Sequence, residues 1–294
     1  MSAVPLRPRL LLVLLCFVGN DAKSKLARGG DRLPKQMLPP CVRAEARSQH
    51  WEDLMVFLPL RCMLGGRPGT FVELGAFTGV ELSNSVMLER CYNWTGLLIE
   101  ASTTNFAKLA VSGRKATKVH SAVCPGEQDS EVEFAVDGGE TSGEPSLRTA
   151  STSKWTRKHH KALNASSSRK VKVPCSSLAR ILDRVGFPTI DVLFLDVEGA
   201  EAKVLQSVDP SRFSVVVMEA AGYPNDGGRL ENDLEPHLLR AGFYRERRLE
   251  SHARGEWNPV YVRSKGPLGT SDQCITCATQ KQCRDTYLQG SNEV

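Results

Sequence analysis

Residues 70–100 read TFVELGAFTGVELSNSVMLERCYNWTGLLIE, and this stretch decides the fold. It contains an apolar strand, a turn with two glycines, a helix, and a second apolar strand that ends in Glu100. Gly75 and Gly79 flank the turn, where larger side chains would keep a ligand away from the backbone amides. Glu100 follows Gly79 by 21 residues, a spacing at which an acid reaches the hydroxyls of a nucleoside ribose. The pattern therefore predicts a βαβ unit that binds a nucleoside-containing cofactor.

The turn differs from the one that binds dinucleotides, although both follow a buried strand. Dinucleotide folds carry G-x-G-x-x-G and place a pyrophosphate at the helix N-terminus. Here the order is E-x-G-x-x-x-G, and Glu73 stands before the first glycine. An acid there would repel a pyrophosphate but suits a ligand with an ammonium and a sulfonium group, which favours S-adenosylmethionine. The alternative is a turn whose glycines serve only the close packing of the strand against the helix.

A second motif lies at residues 190–201, which read IDVLFLDVEGAE. An apolar strand ends there at Asp196, and a helix opens after Gly199. Together with ELGAFTG and LLIE, this motif resembles the FkbM family of S-adenosylmethionine-dependent methyltransferases. The resemblance covers roughly residues 45–263. Its form is closest to the eukaryotic secretory-pathway branch that includes Star-like proteins.

The sequence departs from the family pattern in two places. Ala101 and Ser102 stand where the family usually has a proline soon after the ribose-binding acid. Asn258 and Pro259 stand in the last strand, where an aspartate is common. Neither change removes a cofactor contact, and the second one bears on the substrate side.

Alternating strand and helix patterns predict an α/β fold with a doubly wound, mostly parallel sheet. The resemblance implies the seven-stranded Rossmann-like methyltransferase sheet, in which the last two strands form an antiparallel C-terminal hairpin. We place strands at 70–74, 96–100, 117–123, 131–136, 170–174, 190–196, 214–219, 243–249 and 259–263. We place helices at 45–64, 80–91, 103–112, 176–186, 200–207 and 230–241.

Ligands bind an open α/β sheet outside the carboxyl ends of its strands. Four acids stand at such ends, and a bound cation would relieve their mutual repulsion: Glu73, Glu100, Asp196 and Glu219. The resemblance implies a cofactor set that consists of Glu73, Gly75, Ala76, Gly79, Asn84, Glu100, Ala101, Ala122, Val123, Asp196 and Glu198. In this set, residues 73–79 border the methionine part, Glu100 holds the ribose, and residues 122–123 line the adenine. Glu198 either faces the cofactor or holds the turn from which the next helix starts.

Methyl transfer is an in-line displacement at the sulfonium methyl, and the enzyme must hold the reacting atoms roughly 3 Å apart. An aliphatic hydroxyl acceptor also needs a base, for which Asp196 and Glu219 are the nearest catalytic candidates by strand position. His159 and His160 are alternatives that would reach in from a loop. Some other small-molecule O-methyltransferases use a metal at this step, but the family pattern requires none and we expect none.

The chain begins with a segment typical of secreted proteins. Two arginines precede an apolar run from Leu10 to Gly19, whereas a bilayer span needs about 20 residues. We therefore predict a signal peptide at 1–22 and a protein of the secretory-pathway lumen or the secreted space. An uncleaved signal anchor is the alternative, and no stable membrane span is expected if the signal is cleaved. The sequons at Asn93 and Asn164 agree with a glycoprotein.

Nine cysteines are present, and eight remain once the signal peptide is removed. An even number in an oxidising lumen predicts disulfide bonds. Cys124 and Cys175 each end a strand, so we expect them at one sheet edge. The C-terminal tail holds three more, for which we expect one local pair and one long-range bridge: Cys274, Cys277 and Cys283. A zinc site is the alternative for this cluster, but it lacks a nearby fourth ligand.

The remaining organisation follows from composition. We place a linker or stem at 23–44, the methyltransferase-like domain at 45–263 with a basic loop insertion at 140–170, and a cysteine-containing tail at 264–294. The formal net charge is +5, yet residues 148–172 contain eight Lys or Arg and no acid, so the remainder is acidic. A segment this polar predicts a solvated loop. The alternative is a patch for an acidic partner, with Trp155 offering a flat face for a sugar ring or a cation.

The leading hypothesis is a luminal S-adenosylmethionine-dependent O-methyltransferase that acts on a glycan or glycosylated acceptor, and the expected partner is a glycan or a small hydroxylated acceptor. We expect no nucleic-acid partner in that compartment. The alternative is a catalytically silent Star-like protein that binds clients or assists trafficking. The intact ELGAFTG, LLIE and DVEGAE motifs favour the enzyme.

Overall fold

The computed structural model describes residues 38–136, 169–197, 199–220, 230–253 and 256–264, together with Cys274. The strands are β1 (Thr70–Leu74), β2 (Thr95–Glu100), β3 (Thr117–His120), β4 (Ala122–Val123), β5 (Ser130–Val136), β6 (Arg169–Ser176), β7 (Ile190–Leu195), β8 (Phe213–Met218), β9 (Phe243–Arg245), β10 (Ser251–Ala253), β11 (Glu256–Asn258) and β12 (Val260–Arg263). The helices are α1 (Pro40–Glu45), α2 (Glu52–Met63), α3 (Val86–Tyr92), α4 (Thr103–Ala110), α5 (Leu178–Val185), α6 (Glu201–Gln206) and α7 (Glu235–Arg240). Pro210–Arg212 form a 3-10 turn, and Leu230–Leu234 form a π-helical turn. None of these helices is long and apolar enough to cross a bilayer.

Several predicted features lie outside the described residues: the signal peptide, the basic loop with His159, His160 and Asn164, and Glu198.

A seven-stranded sheet forms the centre of the described fold, in the order β3-β2-β1-β7-β8-β12-β9. The first five strands in this order run parallel to one another, and β12 runs antiparallel to both β8 and β9. This arrangement confirms the predicted mostly parallel sheet with an antiparallel C-terminal hairpin. A three-stranded sheet, β4-β6-β5, and a two-stranded hairpin, β10-β11, accompany it.

Apolar side chains cover both faces of the central strands. Phe71 and Phe194 belong to a buried cluster on one face, and Val72 and Leu193 belong to the cluster on the other. Successive residues alternate between the clusters because the Cβ atoms of a strand point to opposite faces. This coverage explains why β1, β7 and β8 read as nearly continuous apolar runs. Polar groups that must meet a ligand are therefore confined to the strand ends and the segments that follow them.

The helix predicted at 45–64 is confirmed only from residue 52 onward, as α2, and a separate helix, α1, ends at Glu45. α1 begins within the segment that composition assigned to a linker, and its Val42 is fully buried. α2 begins after Trp51, whose φ of 71° is incompatible with a continuous right-handed helix. The Ser48 hydroxyl donates to the Asp53 carboxylate (2.6 Å), which folds the connection back onto the first turn of α2.

The third strand, predicted at 117–123, is divided into two strands, because the chain changes sheets within it. β3 pairs with β2, whereas β4 pairs with β6 and places Ala122 opposite Cys175. Between the two strands, Ser121 donates its hydroxyl to the Ala122 carbonyl (2.6 Å). A further difference concerns α3, which begins at Val86, six residues later than predicted.

Disulfide bonds join three pairs of described cysteines: Cys41–Cys91, Cys62–Cys274 and Cys124–Cys175. The last pair confirms the bridge expected at the edge of the sheet, where it joins the ends of β4 and β6. The Cys62–Cys274 pair is the expected long-range bridge from the tail and spans 212 residues of sequence. The local pair between Cys277 and Cys283 stays a prediction, because both lie outside the described residues.

We expect protein made through a secretory route to show no more than two free thiols when it is denatured without reductant and labelled with a thiol reagent. The three bridges occupy six of the eight cysteines that remain once the signal peptide is removed, and an oxidising compartment keeps such bonds closed. The control is the same protein after reduction, in which every cysteine of the mature chain should react. Six or more reactive cysteines in the unreduced sample would contradict the expectation.

Candidate functional site

The turn after β1 brings the ends of three parallel strands together. Gly75 has a φ of 88°, and a Cβ atom at this position would collide with the carbonyl oxygen of Asp196. Asp196 donates its N–H to the Leu74 carbonyl (3.1 Å), and Gly75 donates its N–H to the Ile99 carbonyl (3.1 Å). The ends of β1, β2 and β7 therefore meet at a position that only glycine can occupy.

The rest of the turn packs against α4. Gly79, with a φ of 78°, closes the turn by donating its N–H to the Ala76 carbonyl (2.7 Å). A Cβ atom on Gly79 would run into the side chain of Leu109 in α4. Phe77, between the two glycines, has a φ of 49°, which is rare for a bulky residue. Such strained residues cluster at functional sites, where the surrounding structure holds them in place.

Glu100 ends β2 beside this turn and is only 2% exposed. Its Oε2 accepts a hydrogen bond from the Phe77 N–H (2.8 Å), and its Oε1 accepts one from the Ser102 N–H (2.7 Å). Burial, with a smaller contribution from the negative charge of Asp196, raises the pKa of Glu100 to about 7, although hydrogen bonds from backbone amides oppose the increase. The site therefore contains a buried acid that titrates near neutral pH.

Glu73 lies two residues before Gly75 and is 3% exposed. Its Oε2 accepts hydrogen bonds from the hydroxyls of Ser83 (2.8 Å) and Ser85 (2.5 Å), and its Oε1 accepts one from the Asn84 N–H (2.7 Å). These bonds hold the three residues in a loop, which is why α3 begins later than predicted. The side-chain Oδ1 of Asn84 is buried and has no hydrogen-bond partner among the described residues. This loop therefore offers an acceptor that the described protein atoms do not use.

Asp196 and Glu219 directly follow β7 and β8, and both are half-buried. Glu219 donates its backbone N–H to the Leu195 carbonyl (3.0 Å), which fixes it beside the end of β7. The structure thus brings Glu100, Asp196 and Glu219 to one edge of the sheet. In the part of the chain that the structure describes, no group of three or more His, Cys, Asp or Glu side chains is placed to hold a metal ion.

The predicted adenine-lining residues lie beyond the edge strand β3. Ala122 and Val123 are both buried in β4. The Ala101 carbonyl, just after β2, lies 3.1 Å from Nε2 of His120, and the His120 ring stacks on Phe106 with 4.8 Å between ring centroids. Neither aromatic ring was predicted as part of the site. A histidine at a strand end and a phenylalanine in a helix have no local sequence pattern that distinguishes them from other such residues.

Contacts on the other side of the site were also missed. Ala220 donates its N–H to the Trp257 carbonyl (2.7 Å), so β11 lies beside the segment that carries Glu219. Asn258 donates its side-chain N–H to Oε1 of Glu52 (2.6 Å), and both residues are buried. Asn258, which stands where an aspartate is common in the family, is thus hydrogen-bonded to a carboxylate from α2. The two residues are 206 positions apart, so no local pattern could have joined them.

A sequence model of the methyltransferase FkbM domain matches residues 73–244, which is more than half of the chain. The matched range includes the glycine turn, Glu100, Asp196 and Glu219. No curated protein matches the chain.

Solved structures that are similar to this chain include the following three. The precorrin-6y C5,15-methyltransferase of Geobacter metallireducens is 11% identical over 70% of this chain and 85% of its own, at a TM-score of 0.37. Methyltransferase FkbM of Methylobacillus flagellatus is 12% identical over 66% of this chain and 43% of its own, at 0.40. Fibrillarin of Aeropyrum pernix, solved with bound S-adenosyl-L-methionine, is 12% identical over 67% of each chain, at 0.38. At these TM-scores, membership of a family rests on the sequence match alone.

We expect Glu100 to make the stability of the folded protein depend on pH. Its pKa rises from 4.5 to about 7 on folding, so the folded state binds the proton more tightly than the unfolded state does. Its contribution to the free energy of unfolding is fully present below the unfolded pKa and is lost as the pH rises through about 7, on the order of 3 kcal/mol in all. Urea unfolding between about pH 5 and pH 8 measures this slope.

The matched variant is Glu100→Gln, which cannot ionise and should lose the part of the slope that Glu100 contributes. The pKa of Asp53 is raised to about 6, chiefly by burial, and it contributes a similar dependence that both proteins share. An identical slope in the variant and the wild type would contradict the role given to Glu100.

Proposed function

The chain belongs to the FkbM family of S-adenosylmethionine-dependent methyltransferases, and on this premise we propose that it methylates an oxygen of a glycan or small hydroxylated acceptor in the secretory pathway. The observation that carries the proposal is the position of Glu100, a buried acid beside a glycine turn and Asp196 at the carboxyl edge of the sheet. Open parallel sheets bind nucleosides at this edge, with an acid on the ribose hydroxyls.

The residues around the turn suit S-adenosylmethionine. Glu100 can accept hydrogen bonds from both ribose hydroxyls, and the small apolar side chains of Ala101 and residues 122–123 offer surface to the adenine. Residues 73–79 border the methionine part, and the two glycines keep this turn compact because the Asp196 carbonyl and the Leu109 side chain take the space of their missing Cβ atoms. The unused Oδ1 of Asn84 is a buried acceptor of the kind that an ammonium group requires. Glu198 completes the proposed set.

When bound, the cofactor supplies a methyl group that its sulfonium makes electrophilic. Asp196 takes the proton from the acceptor hydroxyl as general base, and Glu219 on the neighbouring strand is the second candidate for that role. The backbone of Asp196 is fixed by its N–H bond to Leu74 and by its close approach to Gly75. Because main-chain contacts hold this base in place, it can keep the acceptor hydroxyl in line with the methyl group. This orientation lowers the entropic cost of reaching the reactive geometry.

The cysteines and the N-terminus support the proposed compartment. Disulfide bonds form and persist in oxidising compartments, and three are present among the described residues. The apolar run from Leu10 to Gly19 has the length of a signal-peptide core. Glycans in that compartment present many hydroxyl groups, which is why we propose them as the acceptor class.

We predict that Glu100→Ala weakens binding of S-adenosylhomocysteine by roughly 1.5–3 kcal/mol per hydrogen bond lost, because charge-assisted bonds to the ribose hydroxyls disappear. Calorimetric titration of the oxidised, glycosylated protein measures the change. The matched control is Asp191→Ala, which removes a buried carboxylate that accepts from Thr70 at the opposite end of β7. Wild-type protein without saturable binding at millimolar ligand would refute the proposed function.

We also predict that Asp196→Asn keeps the fold and the disulfide bonds but lowers methyl transfer to a glycan acceptor pool by on the order of 100- to 10,000-fold, the usual effect of losing a general base. The replacement is nearly isosteric, so the backbone contacts with Leu74 and Gly75 should survive. Transfer of a labelled methyl group from S-adenosylmethionine provides the measurement, and Glu219→Gln tests the second candidate in parallel.

A client-binding protein would behave differently in the same comparison. It should tolerate Asp196→Asn and respond instead to neutralising Arg157, Lys158 and Lys161 in the basic segment. Cellular function that persists in Asp196→Asn but disappears in the loop variant would show that the methyltransferase proposal is wrong.

A further inference from the structure

A buried arginine lies against the loop that follows the glycine turn. Arg114 is 3% exposed, and its Nη1 donates to the Gly79 carbonyl (2.5 Å) and to the Ser83 hydroxyl (3.1 Å). Its Nη2 donates to the Ser85 hydroxyl (2.8 Å). One guanidinium thus contacts both ends of the loop between Gly79 and Ser85, and no sequence motif pointed to it.

Two buried carboxylates balance this cation. Glu73 accepts from the same two serine hydroxyls that Arg114 contacts, so the hydroxyls connect the cation to the anion. On the other side, Oε2 of Glu89 lies 3.1 Å from Nε of Arg114. Glu89 also accepts from the N–H groups of Lys115 and Ala116, which fixes the segment that carries Arg114. We call the group of Arg114, Glu73 and the two serines the Arg114 network.

The loop held by the Arg114 network contains a strained residue that packing does not explain. Leu82 has a φ of 55°, in the left-handed region that leucine rarely adopts. Its side chain is 56% exposed, so burial of the side chain does not hold the backbone in this conformation. Strained residues persist where surrounding contacts over-determine them, and here those contacts come from the Arg114 network on either side.

We propose that Arg114 is a positioning residue for the cofactor: through Gly79, Ser83 and Ser85 it fixes the loop that receives the methionine part. Glu73 serves the cofactor through the same network, since both of its carboxylate oxygens already accept hydrogen bonds from residues 83–85. This inference rests on the proposed function, because it requires that the methionine part lie against this loop.

The position of Asn84 connects the Arg114 network to the ligand. Asn84 lies between the two serines, and its N–H is held by Glu73. Its buried Oδ1 has no hydrogen-bond partner among the described residues. The Arg114 network therefore orients an oxygen that can accept a hydrogen bond from the ligand. The ribose and adenine contacts come instead from Glu100 and from residues 122–123, on other elements. Disturbing the network should therefore weaken recognition of the amino-acid part and leave nucleoside recognition intact.

The experiment compares two ligands on one set of variants. S-adenosylhomocysteine carries the amino-acid part, and 5′-methylthioadenosine keeps the nucleoside and the thioether but lacks that part. We expect Ser85→Ala, which removes one hydroxyl shared by Arg114 and Glu73, to weaken S-adenosylhomocysteine binding by about tenfold, the effect of one or two lost hydrogen bonds. Binding of 5′-methylthioadenosine should stay within about twofold. Arg114→Lys, which keeps the charge but loses the planar set of donors, should show the same selectivity.

Ser207→Ala is the matched control, because Ser207 is also a buried serine whose hydroxyl bonds to Val204 and Leu178 away from the loop. It should lower thermal stability without changing the ratio of the two affinities. Equal weakening of both ligands in Ser85→Ala, or no weakening of either, would overturn the proposal. Wild-type protein that binds neither ligand would instead refute the proposed function, so the two failures are distinguishable.

Discussion

The close approach of Gly75 to the Asp196 carbonyl sets the geometry of the whole carboxyl edge of the sheet. No Cβ atom fits between β1 and the end of β7, and main-chain contacts fix the two strand ends beside each other. Glu100 and Asp196 follow strands that meet at this point, so their relative position comes from the sheet. Groups carried by rigid elements are held more precisely than groups carried by loops. The loop between Gly79 and α3 lacks this support and depends on buried hydrogen bonds.

Glu100 combines two requirements that oppose each other. Its burial favours the neutral acid, whereas hydrogen bonds from amides or hydroxyls favour the carboxylate. Near neutral pH the group is therefore divided between its two forms before any ligand arrives. A ligand that donates hydrogen bonds to it selects the charged form, so binding and loss of the proton are linked.

The sequence predicted those parts of the fold that depend on local pattern. Apolar runs that end in an acid predicted the positions of β1, β2 and β7. The spacing of the glycines predicted the turn at Gly75. It did not predict the break at Trp51, because a left-handed residue there depends on hydrogen bonds that the helical pattern does not encode. It missed the change of sheet after β3 for a similar reason, since the pairing of Ala122 with Cys175 joins segments far apart in the chain. Arg114 was missed because a lone arginine in a polar stretch has the local pattern of a surface residue.

The disulfide between Cys124 and Cys175 connects the segments that precede and follow this pair by a second covalent link. The two cysteines are 51 positions apart, and the strongly basic residues 148–172 lie between them. A protease that cuts after lysine or arginine in that interval would leave the two halves joined through sulfur. The order of the core strands on either side would be unchanged. A cut between β5 and β6 would therefore not separate the segment that carries β3 and β4 from the segment that carries β7 and β8.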